Sequence, residues 1–180
     1  MACDSTAYDQ PGTFIWTAGS EGSPRQITSE RLDRIVLSAD GKWLEGARGK
    51  TIQVFQLDQA NSTPITLRGH TQEPAGLAFN PDNTLLASGS FDGRVRIWPL
   101  ADSSRPAWVL HVAQTAFGIK FLESRKLLYS ADYIYVLDLD PAHLANDICK
   151  MVSRNLTDEE WKTALPNLAR ETTCPGLPLQ

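Results

Sequence analysis

The stretch Ile65–Leu100, ITLRGHTQEPAGLAFNPDNTLLASGSFDGRVRIWPL, decides the fold. Within it, Arg94-Val95-Arg96-Ile97-Trp98 alternates polar and apolar residues, the period of a half-buried strand. Pro81-Asp82-Asn83 and Asp92-Gly93 are turn sequences, because proline pre-sets φ, and glycine and asparagine tolerate positive φ. β-branched and aromatic residues dominate the segments between the turns, which favours strand over helix. Short strands at this spacing predict an all-β architecture.

Two other stretches lie over this one. Ile35–Leu57 reads IVLSADGKWLEGARGKTIQVFQL, and Phe117–Leu139 reads FGIKFLESRKLLYSADYIYVLDL. Leu37, Phe79 and Phe121 recur at an interval of 42 residues, as do Leu44, Leu86 and Leu128. That interval lies inside the roughly 40–45 residues of a propeller blade repeat. Thr51-Ile52-Gln53-Val54-Phe55 repeats the strand alternation, and Ala39-Asp40-Gly41 repeats the turn. A fainter unit comes first: Ser5–Asp9 lies over Ser88–Asp92, and Phe14-Ile15-Trp16 over Arg96-Ile97-Trp98. The chain is therefore expected to open at the second strand of a blade and to hold about three and a half blades.

Arg68-Gly69-His70, Phe79-Asn80-Pro81-Asp82, Leu86-Ala87-Ser88-Gly89-Ser90 and Asp92–Trp98, all in one register, resemble a full WD-repeat motif. Pro99 stands where the aspartate of the closing dipeptide falls. The resemblance covers residues 1–140 and is strongest over 65–100. It implies a WD-repeat β-propeller and, inside the blade, a hydrogen-bonded chain of histidine, serine, aspartate and tryptophan. The matching positions are His70, Ser88 (or Ser90), Asp92 and Trp98. A buried polar group without a partner costs about 1–3 kcal/mol, so such groups come as a satisfied network. The neighbouring units depart from the pattern. Thr28, Gly46 and Phe55 stand at the histidine, serine and tryptophan positions of one, and Val112 and Leu137 at those of histidine and tryptophan in the other.

His70, Asp92 and Ser88 could also be read as a hydrolytic triad, but within this motif all three are better explained as internal staples. His111 and His143 have no neighbouring nucleophile or metal-ligand set. The turn glycines Gly41, Gly49 and Gly93 form no phosphate loop, and no GxxxxGK[ST] occurs. No catalytic residue, cofactor or metal is expected.

The composition is that of an ordinary globular chain: 180 residues, 42% hydrophobic, 21% charged, with a net charge of −4. Without a lysine or arginine run, neither nucleic acid nor an anionic membrane surface is an expected partner. No apolar stretch approaches the roughly 20 residues of a membrane span, and MACDSTAYDQPG lacks the order of a secretory signal. Cys3, Cys149 and Cys174 form no CxxC pair, so reduced thiols and a cytoplasmic location are expected, with Cys174 inert.

After Asp140 the pattern turns helical. Asp140-Pro141 reads as an N-cap and first helical position, followed by Leu144, Ile148 and Met151/Val152 on one face. Thr157-Asp158-Glu159-Glu160 is a capping box for a second helix carrying Trp161 and Leu165 and stopping at Pro166. The adjacent carboxylates Asp158 and Glu159 suit that helix start. This division places a partial propeller at 1–140 and a helical cap or docking element at 141–180. Asn155-Leu156-Thr157, Glu160-Trp161 and Thr173-Cys174-Pro175 resemble the endings of large bacterial WD-repeat proteins, in which a STAND-type NTPase, protease-like or kinase module precedes the propeller.

The expected function is a non-catalytic protein-interaction scaffold, the sensor or docking part of a bacterial signalling protein. Expected contacts lie in inferred loops, at Glu73, Arg105, Trp108 and Gln114, although Trp108 equally suits packing between blades. The rival readings are a propeller enzyme whose site comes from upstream blades, and a structural remnant of a larger gene. The last blade is expected to lack its outer strand and the first its inner one. Upstream blades of a longer chain, or further copies assembling a ring, would complete them.

Overall fold

The computed structural model describes residues 11–16, 22–59, 62–102, 105–112, 114–141, 143, 149, 154–155, 157–164, 174 and 176–178. The chain divides into two compact units, Met1–Val136 and Leu137–Gln180. The described strands form four sheets. The first pairs β1 (Thr13–Ile15) with β2 (Arg25–Thr28). The second runs in chain order through β3 (Asp33–Leu37), β4 (Trp43–Arg48), β5 (Thr51–Gln56) and β6 (Ile65–Leu67). The third likewise holds β7 (Pro74–Phe79), β8 (Leu85–Ser90), β9 (Arg94–Pro99) and β10 (Trp108–His111). The last has three strands, β11 (Ile119–Glu123), β12 (Lys126–Ser130) and β13 (Ile134–Asp138). Among the first strands of the last three sheets, β7 adjoins both β3 and β11. That is the arrangement of successive propeller blades.

Register explains the repeat. Leu37 pairs with Leu44 and Leu44 with Phe55; Phe79 pairs with Leu86 and Leu86 with Trp98. Each rung crosses the sheet at the same height, because the turns between first and second strands are built alike. Asp40 accepts from Ser38 Oγ at 2.6 Å and from the Lys42 amide at 3.0 Å. Asp82 accepts from the Thr84 amide at 3.1 Å, and Asn80 Oδ1 from the Leu85 amide at 2.9 Å. In the last blade Phe121 pairs with Leu127, which is fully buried, while Leu128 is half-buried. The 42-residue interval predicted Leu128 there. The β11–β12 turn is one residue shorter, and a one-residue slip moves a side chain to the other face.

The main core lies between the second and third sheets. It joins Ala47, Ile52, Val54 and Leu67 of one to Leu77, Leu86 and Trp98 of the other. Complete burial of a side chain such as Leu86 or Ile97 contributes about 1.5–3 kcal/mol. Glycines make room where the third and fourth blades meet. A Cβ on Gly89 would collide with the Ala116 carbonyl, and one on Gly76 with that of Phe117. Asn80 Nδ2 also donates to the Ser124 carbonyl, at 3.0 Å.

The C-terminal unit is organised by Asn155, which is buried. Its Nδ2 donates to the carbonyls of Cys174 and Leu177, at 3.1 and 3.0 Å, and its Oδ1 accepts from the Cys174 amide at 2.8 Å. The turn so fixed brings Cys174 onto Cys149 in a disulfide with Cα atoms 5.3 Å apart. This corrects the expectation of reduced, inert thiols: the bridge depends on a tertiary turn that no sequence spacing shows. Helix α1 spans Asp158–Ala164. Thr157 Oγ1 accepts from the Glu160 amide at 3.2 Å, and Glu160 returns the bond to the Thr157 amide at 2.9 Å. The Arg154 guanidinium, 2.7 Å away, and the Thr157 amide hold the Glu160 carboxyl down to about 2. The unit beginning Ser5–Asp9, the stripe Leu144, Ile148, Met151 and Val152, and Leu165 and Pro166 lie outside the described residues.

Candidate functional site

His70 follows β6, Ser88 lies on β8, Asp92 in the β8–β9 turn and Trp98 on β9. Antiparallel pairing returns β9 alongside β8, and Ser88 faces Arg96 two residues before Trp98. The Trp98 indole N–H donates to Ser88 Oγ at 2.8 Å. Ser88 Oγ lies 2.7 Å from His70 Nε2, and His70 Nδ1 lies 3.0 Å from Asp92 Oδ2. Nδ1 also lies 2.7 Å from Arg96 Nη1, so the Asp92 carboxylate, which can only accept, and the Arg96 guanidinium, which can only donate, meet at the same ring nitrogen. The sequence left Ser88 and Ser90 as alternatives. The structure puts Ser88 in the chain and Ser90 in the turn, where it donates to the Glu73 carbonyl at 2.9 Å and accepts from the Asp92 amide at 3.1 Å.

Arg96 is a fifth member that sequence reasoning missed. The alternation of Arg94 and Arg96 reads as a solvent face, yet Arg96 is buried. Its Nη1 donates to Asp92 Oδ2 at 3.0 Å and its Nη2 to the Gly69 carbonyl at 2.8 Å. Asp92 Oδ2 also accepts from the Thr71 amide at 2.9 Å, and Oδ1 from the Arg94 amide at 3.1 Å. Burial pushes the Asp92 carboxyl up, but these donors with His70 and Arg96 outweigh it and bring it down to about 2. Burial lowers His70, against the pull of Asp92, so the imidazole is neutral at pH 7. Gly69 makes room for this packing: its φ is +152°, and a Cβ there would lie 3.2 Å from Arg96 Nε.

The other blades solve the same position differently. In the second, Leu32 rather than Thr28 fills the space below the second strand, packed with Leu44 and Phe55. Gly46 stands opposite, and a Cβ on it would lie 2.8 Å from Leu32 Cβ. Polar groups move to the rim, where Glu30 accepts from Gln53 at 3.3 Å and pairs with Arg48 at 2.6 Å. In the last blade, Tyr129 and Tyr135 stack with centroids 5.0 Å apart.

Glu45 was not singled out by sequence either. It lies on β4 between Val36 and Val54, fully buried, and neither carboxylate oxygen has a partner. Burial pushes its carboxyl well above the ordinary range.

The four expected contact residues do not form one patch. Glu73 and Gln114 lie exposed in connectors that enter β7 and β11. Arg105 lies exposed in the β9–β10 connector, which strand alternation puts at the opposite end of the blade. Trp108 is corrected from a loop to the first residue of β10, where it is 43% exposed. An outermost strand has no sheet neighbour on its far side. Among the described residues no group of three or more histidine, cysteine or acidic side chains could hold a metal, and no helix is long and apolar enough to cross a membrane.

Residues 61–99 match the family described as WD domain, G-beta repeat. The match starts at the outer strand of one blade and ends with the third strand of the next. The Target of rapamycin complex subunit wat1 of Schizosaccharomyces pombe is 30% identical over 99 residues, 53% of this chain and 31% of that protein. The guanine nucleotide-binding protein subunit beta of the same yeast is 39% identical over 72 residues, 39% of this chain and 23% of that protein. The chain thus spans less than a third of either relative. A chain in the crystal structure of the Mitotic Checkpoint Complex superposes with a TM-score of 0.59 at 18% identity, over 69% of this chain and 41% of that one, a likeness of fold. Residues 61–99 match a WD repeat, and the sheets around them have the fold of β-propeller blades.

Proposed function

We propose that this chain is a non-catalytic protein-interaction scaffold, the sensor or docking part of a longer signalling protein. One observation carries the reading: the reactive side chains are spent inside the blade, while the connectors that vary between blades are exposed. Ser88 and His70 have the bond order of a hydrolytic pair, but Ser88 is fully buried and its oxygen already accepts from Trp98. A nucleophile so enclosed has no room for a substrate. The exposed connectors at Glu73 and Gln114 vary without disturbing the core. Relatives named as subunits of larger assemblies support the reading. Ile134 and Val136 on β13 are 71% and 59% exposed. A further strand, from the same longer chain or a second copy, completes that blade.

The test is affinity purification of the tagged chain beside a Glu73→Arg/Gln114→Arg variant, with recovered proteins quantified. A partner recovered in stoichiometric amount and lost in the variant is expected. Recovery indistinguishable between the two, or no stoichiometric partner, would overturn the reading.

A further inference from the structure

We infer that the groove between β6 and the β9–β10 pair binds an extended acidic peptide of a protein partner, gripped by Arg68 and Arg105. The inference rests on the scaffold reading and names the chemistry of one partner. The groove measures about 510 Å³. Arg68, Arg96 and Arg105 line it, and among the described residues no aspartate or glutamate does, on a chain whose net charge is −4. Arg96 forms the buried part, held by Asp92 and the Gly69 carbonyl. Arg68 and Arg105 are exposed and have no ion-pair partner among the described residues. Guanidinium groups recognise carboxylates through paired N–H donors, so two uncommitted ones in one groove select an anionic ligand.

The walls identify that ligand as a peptide. Pro99, Pro106 and Val109 give an apolar lining, and Val109 is 44% exposed on β10. Both flanking strands are edges of their sheets: among the described strands β6 pairs only with β5, and β10 only with β9. An extended segment can take main-chain hydrogen bonds from such an edge, alternating acidic side chains towards the arginines with apolar ones towards the wall. A nucleic acid would use the charges but leave the strand edges and apolar wall unused.

The probe is a fluorescent octapeptide alternating glutamate and valine, titrated with the full chain by anisotropy. Its glutamine–valine counterpart, a phosphoserine–valine version and a single-stranded oligouridine are run beside it. Saturable binding of the glutamate peptide is expected, weakening with salt and at least about tenfold weaker in Arg68→Ala/Arg105→Ala. Arg68→Lys/Arg105→Lys, checked by circular dichroism like the alanine variant, should retain part of it. Absence of binding, equal binding of the glutamine peptide, or insensitivity to both arginine variants overturns the inference. Tighter, arginine-dependent binding of oligouridine overturns it in favour of nucleic acid, and tighter binding of the phosphoserine peptide narrows the same site to phosphorylated partners. Because the scaffold test alters Glu73 and Gln114 only, a stoichiometric partner recovered there while the peptide fails here sinks the groove and leaves the scaffold reading standing.

Discussion

Gly46 and Leu32 stand so close that a Cβ on the glycine would lie 2.8 Å from the leucine's own Cβ. This contact is the apolar counterpart of the Ser88–His70 hydrogen bond one blade later. Serine at 46 would restore the residue type of the polar blade, yet no histidine is there to receive it. Overpacking typically costs about 1–3 kcal/mol, so Gly46→Ser lowers stability by that order, read as a shifted urea midpoint. An unchanged midpoint would show that Leu32 moves aside freely.

Removing Ser88 Oγ strands two buried partners together. Trp98 Nε1 loses its acceptor and His70 Nε2 its hydroxyl partner, so Ser88→Ala should cost about 1–3 kcal/mol despite deleting a single atom. Alanine at the exposed Ser23 serves as the control, expected near zero. Equal midpoints for the two variants would contradict the enclosed network.

Glu45 and His70 give opposite pH dependences. The Glu45 carboxyl is raised in the fold, so above its ordinary 4.5 the unfolded chain releases a proton that the fold keeps. Stability therefore falls as pH rises from there, by about 1.4 kcal/mol per pH unit while that proton is held. His70 is lowered below 6.5, so the unfolded chain gains a proton first on acidification and stability falls as pH falls. Glu45→Leu should be more stable than the parent at pH 7, with the difference shrinking towards pH 4.5. Parallel stability–pH curves for the two proteins would show that Glu45 is ionised in the fold.

Gly89→Ala should separate the third and fourth blades. The added methyl meets the Ala116 carbonyl, a backbone atom that cannot rotate away. A loss of about 1–3 kcal/mol is expected, with faster amide exchange over 116–121. Exchange unchanged in that segment would mean the connector is not held by this contact.

Reduction of Cys149–Cys174 should loosen the C-terminal unit. The bridge closes a separation of 25 residues, for which a contribution of about 2–4 kcal/mol is typical. Dithiothreitol, or Cys174→Ser, should speed amide exchange at Asn155 and leave β7–β9 protected. A free-thiol assay giving three reactive cysteines in the native, unreduced protein would show that the bridge does not form.

By itself, the sequence determined what repeats: alternation of apolar residues, Asp-Gly and Pro-Asp turns, and a 42-residue interval that aligned Leu37 with Phe79 and Phe121. These are local properties, since strand pleat and turn geometry act over a few residues and write themselves into the order of side chains. His70, Ser88, Asp92 and Trp98 were legible because their spacing follows from the register of two hairpins. Tertiary structure alone decided what meets across strands and blades. It buried Arg96 against Asp92, put Leu32 where the sequence placed Thr28, moved the core position from Leu128 to Leu127, left Glu45 without a partner and joined Cys149 to Cys174. Each depends on the distance between elements far apart in the chain, and packing, unlike periodicity, leaves no mark on the order of neighbouring residues.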